Sequence, residues 1–112
     1  MPIPNAEHAI IDPAKLYGYL LSHVHPQGRA KAVFFRALGY ESTTWPRLDA
    51  DLRRQHLSQE PASITPSAYG QMYVIRAMLV GPSAESAAVV SVWIVRTGEH
   101  VPRFVTAYPE GA

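Results

Sequence analysis

The chain has 112 residues, is 47% hydrophobic, and carries a formal net charge of +1 with ten prolines and seven glycines. That composition excludes a disordered, collagenous or membrane-spanning polypeptide, and the length predicts a single domain over residues 1–112 that buries about two-thirds of its unfolded surface. The absence of cysteine excludes disulfides, thiolate zinc sites and thiol nucleophiles.

In chain order, the first thirteen residues contain Glu7, Asp12 and prolines ahead of any apolar run. This does not read as a signal peptide, and the expected location is the cytoplasm. Asp12-Pro13 reads as a helix start, with Asp as N-cap and Pro at the first helical position. Leu16, Leu20 and either Tyr17 or Leu21 supply its buried stripe, and it ends before Pro26. Gly28 to Leu38 predicts a second helix with Ala30, Val33, Phe34, Ala37 and Leu38 inward and Gly39 as its stop. Thr43 or Thr44 caps a third, in which Trp45, Leu48 and Leu52 recur at helical spacing before it frays by Ser58.

After Glu60-Pro61 the hydrophobic period changes from helical to alternating. Ala62 to Thr65 reads as a short edge strand interrupted by Pro66. Gln71 to Val80 is followed by a Gly81-Pro82-Ser83 turn. Ala87 to Val95 is apolar on both faces, which predicts a central strand. The Thr97-Gly98 turn then leads to a last strand, Pro102 to Tyr108. The expected fold class is α+β: two to three N-terminal helices packed on one face of a roughly four-stranded antiparallel sheet.

Charge is unevenly distributed. From Pro13 to Tyr40 there is no Asp or Glu, yet Lys15, Arg29, Lys31 and Arg36 fall there with His23 and His25. Such a local cluster suits either nucleic acid or a solvated helix face. His23 and His25 could ligate a metal only with a third ligand such as His56 or His100; no HExxH motif is present, so no metal or other cofactor is expected. A loop histidine beside a helix start also suits general acid–base work, because its reference pKa lies near neutrality. Lys31, in the first turn of the second helix, suits a phosphate or plain solvation. In the last strand, strict alternation puts Phe104, Thr106 and Tyr108 on one face and Arg103, Val105 and Ala107 on the other. Thr106 and Tyr108 suit a phosphate oxygen and a stacked base, or a ring shielding the sheet edge. No Walker loop, GxGxxG, GxSxG elbow or paired-carboxylate motif occurs.

The segments Ile3-Pro4-Asn5-Ala6-Glu7, His25-Pro26-x-Gly28 with Lys31-Ala32, Tyr69-Gly70, Trp93-Ile94, Pro102-Arg103 and Thr106-Ala107-Tyr108 resemble a family of small bacterial proteins of uncharacterised function. The match runs over essentially the whole chain. Members of that family occur beside a small partner gene or as C-terminal modules of polymorphic toxins and phage head proteins. The layout is similar to the barnase/EndoU/colicin/RelE-like ribonuclease superfamily, a likeness at the level of fold. The resemblance implies a toxin with a small cognate antitoxin or immunity protein, acting on RNA as a metal-independent endoribonuclease. Attack of the 2′-OH on the adjacent phosphate would leave a 2′,3′-cyclic phosphate. On this reading His25 is base or acid, Lys31 meets phosphate charge, Thr106 donates to phosphate, and Tyr108 stacks or donates. Arg29, Arg36 and Arg103 are the expected RNA-binding cations. One departure bears on activity: family members often have His immediately before the helix lysine, whereas this chain has Ala30, which would leave this copy disabled if that His is the base. The alternative is a non-catalytic module, an adaptor or inhibitor that holds a protein on its sheet surface.

Overall fold

Asp12 starts the first helix as the sequence dictates: its carboxylate accepts the Ala14 N–H at 3.0 Å, and Pro13 occupies the first turn. In the computed structural model, which describes residues 2–111, this helix, α1 (Pro13–Lys15), continues as a π-helical turn, Leu16–Leu20. The Leu21 N–H there donates to the Leu16 carbonyl at 2.9 Å. The wider turn buries Leu16, Leu20 and Leu21 together, while Tyr17 stays half exposed.

The second helix, α2 (Arg29–Ala37), buries Ala32 and Phe35, with Leu38 at its end. The expected inward stripe is therefore corrected. Ala30 and Ala37 are exposed, and Val33 is 63% exposed. The physical reason lies at Gly28, where an added Cβ would stand 2.1 Å from the Tyr19 carbonyl oxygen. Backbone contact at Gly28 sets the helix rotation, so the stripe runs Gly28, Ala32, Phe35 at i, i+4, i+7. Gly39 ends the helix with φ 102°. A third helix, α3 (Trp45–Asp51), follows a 3-10 turn and runs on as a second π turn, Leu52–His56. Thr44 precedes it but makes no capping bond, its hydroxyl donating instead to the Glu41 carbonyl. Leu48 and Leu52 are buried as expected. Asp51, also buried, accepts from Tyr40 (2.6 Å), Arg47 (3.0 Å) and Arg54 (2.6 Å), which offsets the cost of its desolvation.

The strands β1 (Ser63–Ser67), β2 (Gly70–Val80), β3 (Ser86–Arg96) and β4 (Arg103–Pro109) form an antiparallel meander in that order. The fold is α+β, with the helices against one face of the sheet, as composition and periodicity predict. β3 is interior, and its consecutive Val89 and Val90 are both fully buried. Pro66 does not interrupt β1 but sits within it opposite Gln71, on an outer strand where its missing N–H costs no ladder bond. Ile10 adds a parallel bridge beside Arg103, and Asn5 ties back to the His100 carbonyl at 2.7 Å, so the N-terminal segment is laced onto the β4 edge.

Strict alternation in β4 is also corrected. Trp93 pairs with Phe104 but Val92 pairs with Thr106, so Val105 is an extra, unpaired residue. The bulge lets Phe104 and Ala107 both enter the core, three residues apart. It also places Arg103 and Thr106, expected on opposite faces, opposite Ile94 and Val92, which share one face of β3. Deep under the sheet, Ser91 Oγ accepts from Trp93 Nε1 at 2.9 Å and lies 2.7 Å from His56 Nδ1. Among the described residues, no helix is long and apolar enough to cross a membrane.

Candidate functional site

The π turn after α1 carries Tyr19 toward the start of α2. The connecting loop is held by Ser22, whose Oγ accepts the N–H groups of Val24 and His25 at 3.2 and 3.1 Å. His25 Nδ1 in turn accepts two backbone N–H groups, from Gln27 and Gly28, each at 3.1 Å. Both donors are fixed, so the neutral ring carries its proton on Nε2 and presents a donor. The His25 ring stands edge-on to Tyr19, with centroids 4.9 Å apart.

Lys31 closes the cluster. Its Nζ donates to the Tyr19 hydroxyl oxygen at 2.6 Å and reaches Thr106 Oγ1 at 3.4 Å. At 4.9 Å from the ring centre, the ammonium lies at the oxygen end of the phenol rather than over its face. The Lys31 hydrogen bond lowers the Tyr19 pKa below its ordinary value, against the opposing effect of burial. The Thr106 hydroxyl and the charges of Lys31 and Lys15 add to the lowering. Lys15 Nζ sits 3.4 Å from the carbonyl of the bulged Val105. These side chains line one cavity of about 620 Å³: Lys15, Tyr19, His25, Gln27, Lys31 and Thr106 are among its walls. A concave site combining two cations, a phenol of lowered pKa and a fixed imidazole N–H suits an anionic substrate and proton transfer from it.

Of the residues singled out in the sequence, His25, Lys31 and Thr106 are therefore brought together. Tyr108 is not. It shares the outer sheet face with Thr106, opposite Val90, but is not among the cavity walls, and among the described residues no hydrogen bond joins it to the cluster. Ala30 is exposed, immediately before Lys31. Arg29 and Arg36 are exposed on α2, and neither has an ion pair among the described residues. Arg103 grips the Glu99 carboxylate through two nitrogens at 2.9 and 3.2 Å, which raises the guanidinium pKa and lowers that of Glu99. The other histidines are dispersed: His23 lies 3.7 Å from Glu41, and His56 is in the core. No three metal-ligating side chains cluster among the described residues.

Sequence reasoning missed Tyr19 and gave Lys15 no role beyond its charge. The available signal was a tyrosine inside an apolar helix, two residues from an alternative stripe position. Only the π turn aims it at Lys31.

The site depends on close approach at Gly28. Gly28→Ala would drive a Cβ into the Tyr19 carbonyl, and the expected cost is about 1–3 kcal/mol of stability. A denaturant midpoint indistinguishable from the parent would show that α1 and α2 do not depend on this contact.

A family model described as a domain of unknown function (DUF6883) matches residues 2–111. The chain belongs to this family. No curated protein matches it. Among solved structures, a chain of a contact-dependent growth inhibition toxin–immunity protein complex from Klebsiella pneumoniae 342 superposes with a TM-score of 0.63 at 17% identity. The superposition covers 90% of this chain and 99% of the other. At that identity the two share a fold. Within this DUF6883 chain the motif segments divide by position: Ile3 and Asn5 lace the N-terminus to the sheet, while His25, Lys31 and Thr106 line the cavity.

Proposed function

We propose that this DUF6883 chain is the toxin of a toxin–antitoxin or polymorphic-toxin system, and that it cleaves RNA without a metal by 2′-OH transesterification. The observation that carries the reading is the Lys31–Tyr19 pair, 2.6 Å apart, in one cavity with His25 and Thr106. The fold shared with a chain of a toxin–immunity protein complex supports it. It also supports a cognate immunity protein as partner.

Tyr19, held toward its phenolate by Lys31, takes the proton of the 2′-hydroxyl. Lys31 and the His25 Nε2–H then face the charge that develops on the phosphorane oxygens. Thr106 orients the Lys31 ammonium, and Lys15 is the donor for the leaving 5′-oxygen. Here His25 serves as a donor, and Tyr19 takes the part of base. Tyr108 contributes no stacking in this cavity. Arg29 and Arg36, exposed on the helix that carries Lys31, meet flanking phosphates. Ala30, immediately before Lys31, is exposed and is not among the cavity walls; a histidine there is the alternative base that the family resemblance implies.

The test is RNA cleavage in chelator by the chain and by Ala30→His, read as 2′,3′-cyclic phosphate ends. Cleavage by both is expected, with Tyr19 and Lys31 sufficient. Cleavage by the histidine form alone would show that this copy is disabled. Silence from both on mixed RNA and tRNA would overturn the ribonuclease reading. One observation favours a second reading, a protein-binding module: the sheet face away from the helices is apolar, with Met78 54% exposed and Val92 and Ile94 half-buried. That reading predicts partner binding without cleavage and without any need for His25.

A further inference from the structure

A second cavity, of about 720 Å³, opens beside the first and shares Asp12, Lys15 and the bulged Val105 with it. The two therefore adjoin at the β4 edge, where Lys15 and Val105 line both. Its floor is apolar: Ile10 is 39% exposed and Ile94 is half-buried. Tyr69 stands over it from the β1–β2 turn, 76% exposed. The backbone beneath that ring is pinned, because the Tyr69 carbonyl accepts the Thr97 N–H at 3.0 Å and its N–H donates to Ser67 Oγ at 3.2 Å. Gly70 permits the tight approach with φ 145°, since a Cβ there would meet the Val95 carbonyl at 2.2 Å. Arg96 is exposed and has no ion pair among the described residues, although its charge adds to that of Arg103 in holding the Glu99 pKa down. The nearby carboxylates are already engaged, Asp12 by the Ala14 N–H and Glu99 by Arg103.

An exposed ring on a pinned backbone, beside an exposed guanidinium and an apolar floor, has the makings of a base-stacking platform. Building on the ribonuclease reading, we propose that this cavity is a subsite for the nucleotide next to the scissile phosphate in single-stranded RNA. Its base stacks on Tyr69 above Ile94, and its phosphate lies between Lys15 and Arg96. A strand that passes from one cavity to the other at Val105 must be flexible, with bases free to leave their stack, which disfavours a duplex.

The experiment is fluorescence anisotropy with 2′-O-methyl oligonucleotides, which cannot be cleaved, of two and of four nucleotides. The longer probe is expected to bind about tenfold or more tightly than the shorter. Tyr69→Ala and Arg96→Gln should each remove most of that gain with thermal unfolding unchanged, both side chains being exposed. A gain that persists in both variants, or no gain with length, overturns the subsite. Should the subsite fail while 2′-hydroxyl RNA is still cleaved, the ribonuclease reading stands alone. Length-dependent binding that needs Tyr69, with no cleavage in any form, would support the subsite and overturn the ribonuclease.

Discussion

Tyr19→Phe is expected to lower RNA cleavage by a factor on the order of 10² to 10⁴, the range for loss of a positioned general base. The substitution keeps the ring and its edge contact with His25 while removing only the oxygen that meets Lys31. The acting form is the phenolate, so the rate should rise with pH and level off below the ordinary tyrosine pKa of about 10. Lys31 is the largest cause of the lowered Tyr19 pKa. Lys31→Met should therefore move the rising limb to higher pH as well as reduce the plateau, because it also removes charge opposite the phosphorane. The check is a kcat/KM profile against pH for the parent and both variants, repeated in the Ala30→His background. Full activity in Tyr19→Phe would remove the tyrosine from the mechanism and return the role of base to a histidine.

Acid should unfold the protein through His56. Its imidazole is fully buried, and burial pushes its pKa down from 6.5 to about 4, with the Ala77 backbone acting weakly in the opposite direction. Nδ1 meets Ser91, whereas Nε2 has no hydrogen-bond partner of adequate geometry. In the unfolded chain the ring takes up a proton as pH falls below 6.5, but the folded protein resists until about 4. Its contribution is therefore complete above pH 6.5 and is lost progressively as pH falls through 4, a total of roughly 3 kcal/mol. Urea midpoints at pH 7 and pH 4.5 should show most of that loss. His56→Gln cannot titrate and should flatten the difference, even though it lowers stability at both pH values. An equally steep pH dependence in the variant would place the acid sensitivity elsewhere.

The local signals in the chain proved strong where one residue type meets one geometric need. Asp12-Pro13 caps and starts α1, Gly39 stops α2 with a positive φ, and the doubly apolar run through Val89 and Val90 is an interior strand. Binary patterning was enough for the helices-then-meander layout, because each period admits only one kind of element. The rotation of α2 was not legible. Two stripes of similar hydrophobicity compete in it, and the choice depends on Gly28 touching the Tyr19 backbone across a helix–helix contact. Half of the site shared that fate. Lys31 and His25 could be suspected from charge and loop position, whereas alternation put Tyr108 on the face of Thr106, where it lies, but could not show that the cavity stops short of it.

The sequence by itself determined the elements, their order and the basic segment that supplies the cations, since these follow from caps, breakers and periodicity along a single stretch of chain. Tertiary structure decided which side chains meet. Tyr19 reaches Lys31 only because a π turn adds a residue to α1, and Thr106 reaches Lys31 only at a strand edge distorted by an extra residue. Both are departures from regular periodicity, and both arise from packing between segments far apart in sequence.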